Sequence, residues 1–127
     1  MKYIQCIIVV CLLLMFSGCS NQDILTAGYP NENGVEFYKE ITDKDKIKEV
    51  RIWFDNLENL EQPNDLKTEA EADIFVTLAN RGIIEILAYI WYIEDGTIIV
   101  KRGTSNYYTA TSEQTEKLKD ILDYKDN

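Results

Sequence analysis

Residues 73–101, DIFVTLANRGIIEILAYIWYIEDGTIIVK, decide the architecture of this chain. Asp73 to Ala79 alternates, with Ile74, Val76 and Leu78 on one side, which predicts a half-buried strand. Asn80-Arg81-Gly82 predicts a tight hairpin loop, with Gly82 available for a positive φ. Ile83 to Ile93 is the longest predicted strand. Its even positions (Ile84, Ile86, Ala88, Ile90, Tyr92) are apolar throughout and are expected to face the core. Its odd positions (Ile83, Glu85, Leu87, Tyr89, Trp91, Ile93) mix aromatics with a carboxylate. Glu94-Asp95-Gly96-Thr97 is a second hairpin, expected as a type I′ turn from its Asp-Gly pair. Thr97 to Lys101 is the third strand of this meander.

Downstream, Arg102 to Asn106 turns again and Tyr107 to Ala110 makes a short strand. Thr111 with Gln114 three residues on forms a capping box. It opens a helix whose stripe is Thr115, Leu118, Ile121 and Leu122. Upstream, Glu61-Gln62-Pro63-Asn64-Asp65 and the acidic stretch to Ala72 read as a loop or a short helical turn. Before that, Ile47, Val50, Phe54 and Leu57 share one face of a helix expected from 43 to about 59. Thr42 is its expected N-cap, and Trp53 sits at the edge of the stripe. Val35 to Ile41 alternates Val35, Phe37, Lys39 and Ile41 against Glu36, Tyr38 and Glu40, a short strand. The order β-α-β-β-β-β-α predicts an α+β domain over residues 35–127. Its antiparallel sheet has four to five strands, with both helices on one face.

The N-terminus has a different character. Lys2 is followed by an apolar run from Ile7 to Phe16, then by Ser17, Gly18 and Cys19. Positive start, apolar stretch and small residues before a cysteine make a lipoprotein signal over residues 1–18, with Phe16 where Leu is usual. Cleavage between Gly18 and Cys19 leaves Cys19 to carry diacylglycerol, and two acyl chains give stable membrane anchoring. As a transmembrane helix, residues 3–18 fall short of the ~20 residues a span needs. A plain secretory signal would need an A-x-A-like site, which is missing. Residues 19–34, polar and broken by Gly28, Pro30 and Gly34, are expected to be a lipidated flexible tether. The fifteen residues after the cysteine, 20–34, would reach roughly 20–23 Å.

Composition narrows the chemistry. Loss of residues 1–18 removes Lys2 from the 13 basic residues and none of the 22 acidic ones, so the formal charge goes from −9 to −10. So acidic a chain lacks the phosphate-neutralising contacts on which nucleic-acid binding rests, and no nucleic-acid partner is expected. Anionic headgroups would repel it, which leaves the lipid on Cys19 to hold it at the extracytoplasmic face of the cell membrane. There is no His, and of the three cysteines Cys6 and Cys11 leave with the leader. That removes disulfides, thiolate nucleophiles, imidazole bases and His- or Cys-ligated metals together. No cofactor and no metal are expected.

Two constellations remain. Glu58, Glu61, Asp65, Glu69, Glu71 and Asp73 crowd one segment, but the spacing of a calcium loop is missing, so they read as a solvated acidic loop. Paired carboxylates for a hydrolase can be drawn from any of the 22 acids, so abundance carries no weight. Ser105 and Thr104 have no base near them except Lys101. No catalytic residue is assigned. The odd face of the long strand is the better candidate. Leu87, Tyr89 and Trp91 point one way, and Tyr107 or Tyr108 lies on a neighbouring strand. Exposed, they form an aromatic recognition surface; buried, they are the core side of the sheet with the two faces exchanged.

The run Ala88-Tyr89-Ile90-Trp91 before a Gly turn, then Tyr107-Tyr108-Thr109, then Thr115-x-x-Leu118-x-x-Ile121-Leu122, resembles the YhfM-like domain. That domain occurs in small uncharacterised lipoproteins of low-GC Gram-positive bacteria, and Asp45-Lys46-Ile47 fits its N-terminal half. The likeness covers roughly residues 40–123. It implies a lipoprotein with an α+β domain and carries over no catalytic residues. The function expected is a membrane-anchored, non-enzymatic binding or interaction module that contacts another envelope protein. A carboxylate-based hydrolase and a purely structural lipoprotein are the alternatives.

Overall fold

In a computed structural model, which describes residues 22–124, the chain runs β1 (Ile24–Asn31), β2 (Gly34–Ile41), α1 (Lys44–Asp55), β3 (Glu58–Leu60) and a 3-10 turn (Glu69–Glu71). It continues with β4 (Ile74–Asn80), β5 (Ile83–Tyr92), β6 (Ile98–Arg102), β7 (Asn106–Ala110) and α2 (Ser112–Leu122). The signal over 1–18, Cys19 and the first residues of the expected tether lie outside the described residues. The strands make one antiparallel sheet in the order β2-β1-β4-β5-β6-β7-β3. The domain is α+β, as expected, but its sheet has seven strands rather than four to five.

Both additional strands come from residues assigned otherwise. Residues 24–31, expected to belong to the tether, form β1 between β2 and β4, where Leu25 and Ala27 are fully buried. Gly28 and Pro30, taken as breakers, are both compatible with that strand. A Cβ on Gly28 would lie 2.5 Å from Val35 Cγ1 and 2.9 Å from the Glu36 carbonyl oxygen, so glycine permits the close approach of β2. Pro30 pairs with Val35 of β2 but lies past the last pair with β4, so its missing N–H leaves no gap in the β1–β4 ladder. β3 occupies residues expected to be helical. α1 stops at Asp55, where the Asn56 N–H reaches back to the Ile52 carbonyl at 3.1 Å. Its N-cap is Asp43 rather than Thr42, the longer acid accepting from the Asp45 and Lys46 amides.

The two helices and one face of the sheet share a single core. Ile47, Val50, Trp53 and Phe54 of α1 meet Leu118, Ile121 and Leu122 of α2 over Ile74, Val76, Leu78, Ile86, Ala88, Ile90, Ile98 and Val100. The Trp53 indole donates to the Gln114 carbonyl at 2.7 Å and ties the helices together. The α2 capping box forms as expected, and Thr115 is satisfied by donating to the Thr111 carbonyl at 2.8 Å.

Local deviations move particular side chains off the expected faces. Ala27 pairs with Lys39 and Gly28 with Phe37, which leaves Tyr38 as an extra residue in β2. Such a bulge shifts the alternation. Tyr38 therefore turns to the helices, its hydroxyl donating to the Leu122 carbonyl at 3.0 Å, while Phe37 is left exposed on the far side beside Phe75. A second slip between Leu78 and Ala79 leaves Glu85 unpaired, so Ile84, expected in the core, is exposed. The β4–β5 loop has Arg81 and Gly82 both at positive φ, 53° and 79°, which is type I′ geometry. In the next hairpin only Gly96 is left-handed, at 88°, so that turn is not type I′. Asp95 instead accepts from the Thr97 amide and hydroxyl.

Tyr38 gives the fold a measurable alkaline limit. Burial, reinforced by Tyr29, Tyr124 and Asp123, pushes its hydroxyl well above the usual tyrosine value of 10.0. The folded state favours the protonated phenol, so this contribution is whole below the unfolded value and drains away as pH rises beyond it. Melting curves between about pH 9 and pH 12 should fall more steeply for the native chain than for Tyr38→Phe. Parallel curves would remove Tyr38 from the account.

Candidate functional site

The face of the sheet away from the helices carries one residue from every strand in a single row. Phe37 pairs with Gly28, Gly28 with Phe75, Phe75 with Tyr89, Tyr89 with Lys101, Lys101 with Tyr107, and Tyr107 with Leu60. Strand alternation explains the row, since directly opposed residues share a face. The bare Gly28 leaves room for the rings on either side to meet across β1. The Phe37 and Phe75 centroids are 6.2 Å apart, and Phe75 and Tyr89 lie 4.8 Å apart in a tilted contact. Trp91, two residues on from Tyr89 along β5, has its ring centroid 6.4 Å from that of Tyr89.

The chain's own loop divides this face. Residues 61–73 fold over the Trp91 end of this face, from β7 and β6 to the 3-10 turn beside β1, and there the Trp91 indole donates to the Thr68 carbonyl at 3.3 Å and Trp91 is only 3% exposed. Lys101 donates to Glu69 at 2.5 Å, and that hydrogen bond holds the ammonium above its ordinary pKa. Glu71 accepts from the Thr68 amide at 3.2 Å and Asp73 from the Tyr92 amide at 2.7 Å. Exposed ion pairs contribute about 0–1 kcal/mol each. Burying a large apolar side chain is worth about 1.5–3 kcal/mol, so Trp91 is the larger fastening. A cleft remains under the loop between Pro63, Leu66, Thr68, Trp91, Lys101 and Tyr107.

The four expected surface residues thus share one face and differ in access. Leu87, Tyr89 and Tyr107 are half-buried and Trp91 is covered. Tyr108 packs against the core instead. Burial raises the Tyr89 hydroxyl above its usual value, with Glu69 adding to the shift and Lys101 opposing it. The open half is Phe37, 56% exposed, with Phe75 beneath it, then Tyr89 and Leu87. Thr26 and Thr77 lie beside them, joined hydroxyl to hydroxyl.

The sequence reading does not place Phe37, Phe75 or Lys101 on this surface. Phe75 was accessible to that reasoning as an odd position beside Ile74 and Val76. Phe37 was hidden by the bulge. Three of the clustered acids are engaged by Lys101 or by backbone amides, as described above. Among the described residues no group of three or more acidic side chains is arranged to hold a metal ion. Among them, too, no helix is long and apolar enough to cross a membrane. Comparison with protein-family models, curated proteins and solved structures gives no match to this chain.

Proposed function

We propose that this protein is a lipoprotein held by Cys19 at the outer side of the cell membrane, where its domain binds another envelope protein. The observation that carries the binding half is the open end of the aromatic row, exposed Phe37 and half-buried Tyr89 over the buried Phe75 ring, on a sheet face that neither helix covers. Aromatic side chains are enriched at the centres of protein interfaces, because they bury large areas at little entropic cost. Hydrolysis through an imidazole base or a thiolate nucleophile has little to work with: the chain contains no His, and its cysteines are Cys6, Cys11 and Cys19. The leader and its cysteine support the address.

A photo-crosslinking amino acid placed at Phe37 or Tyr89 in intact cells tests the surface. The same group at Ile52, an exposed apolar position on α1, is the control. One discrete adduct from positions 37 and 89 and none from 52 is the expected result. It should disappear when the other ring of the pair is changed to Ser. Equal labelling at all three positions, or none at 37 and 89, would contradict the assignment of this face.

A further inference from the structure

The start of the described chain and an apolar hairpin tip lie at the same end of the sheet. Ile24 pairs with Ala79, one residue before the β4–β5 turn, and Asn80 pairs with Ile83 across that turn. Arg51 clamps the two segments, donating to Asp23 and to Glu85 at 2.8 Å each. That bridge leaves Asp23 and Glu85 ion-paired. Beyond them project Ile83, 72% exposed, and Ile84, 55% exposed, with the exposed cation Arg81 at the apex of the turn. The core needs neither isoleucine, and two adjacent aliphatic side chains at a hairpin tip are costly to leave in water.

Cys19 lies three residues before Gln22. Three peptide steps span at most about 11 Å. Because β1 starts at Ile24, there is no room for the long tether that the sequence suggested. From the short reach and the apolar tip together, we infer that the β4–β5 turn is a membrane foot. Ile83 and Ile84 dip into the acyl boundary of the leaflet that holds the lipid of Cys19, and Arg81 rests among anionic headgroups. The chemistry is that of interfacial segments, with aliphatic groups submerged and a basic residue at headgroup level. The foot stands the strands upright. Tyr89 is six residues along β5 from Ile83, which sets the aromatic row about 20 Å from the submerged tip, headgroup layer included. This inference rests on the lipoprotein assignment and adds an orientation to it.

The processed chain has no thiol apart from the sulfur that carries lipid, so one introduced cysteine can be labelled alone. Processed, membrane-extracted protein carrying Ile83→Cys, Ile84→Cys or, at the opposite end of β5, Ile93→Cys is purified in detergent, labelled with an environment-sensitive dye and reconstituted. The vesicles contain phosphatidylglycerol and phosphatidylcholine with a bilayer-embedded quencher. Quenching several-fold stronger at 83 and 84 than at 93, with a blue-shifted emission, is expected. Equal quenching at all three sites overturns the foot, as does shielding that follows protein density rather than lipid, which would assign the tip to a second copy. Intact mass separates the two levels. Protein that carries diacylglycerol but is unquenched at 83 defeats the foot alone, and protein without lipid defeats both.

Discussion

Leu25→Asp unfolds the domain. Leu25 has no exposed surface and sits on β1, with β2 on one side and β4 on the other, in the same cluster as Leu78 and Val50. Truncating a buried leucine already costs about 2–5 kcal/mol. A carboxylate in its place adds the desolvation of an unpaired charge, while a whole domain is stable by only about 5–15 kcal/mol. No cooperative thermal transition should remain by circular dichroism. The milder Leu25→Ala should melt cooperatively at a clearly lower temperature, because a cavity is left but no charge is buried. A tether would tolerate either change, since exposed substitutions usually stay within about 0.5 kcal/mol. An unchanged melt for Leu25→Asp would therefore restore the tether and remove β1 from the sheet.

That contrast also marks where the fold could be read along the chain. Between Ile74 and Leu122, β4, β5 and α2 are each announced by more than one local signal. β4 and β5 alternate over many residues around a turn that needs a left-handed pair, and α2 has both a capping box and a stripe. β1 has only Leu25 and Ala27 as its buried pair before Gly28 and Pro30 interrupt, and what makes it a strand is the pairing on both sides. β3 is three residues on an outer edge, too short for any periodicity to show.

The candidate site divides in the same way. A period of two is enough to put Leu87, Tyr89 and Trp91 on one face, and that much was legible. Which of them meets solvent depends on contacts far apart in sequence, such as the Thr68 carbonyl over the Trp91 indole. The bulge at Tyr38 is a second such case. It exchanges the faces of Phe37 and Tyr38 through pairing with β1, a partner that local alternation did not reveal.

The proposed address has an equally large consequence. Two acyl chains, at about 0.8 kcal/mol for each buried CH₂, hold a protein far more firmly than a hairpin tip can. With Cys19→Ala the acceptor sulfur is gone, so processed protein in washed membranes should fall from nearly all of the population to a trace. The proposed foot at Ile83 and Ile84 would be too small to compensate. Full retention of a processed Cys19→Ala chain would mean that something other than lipid anchors it.

The most direct test is the intact mass of the native protein extracted from membranes with detergent. The account predicts a chain that begins at Cys19 and carries a diacylglyceryl group. A chain that still holds residues 1–18, or one that begins at Cys19 without lipid, would contradict it.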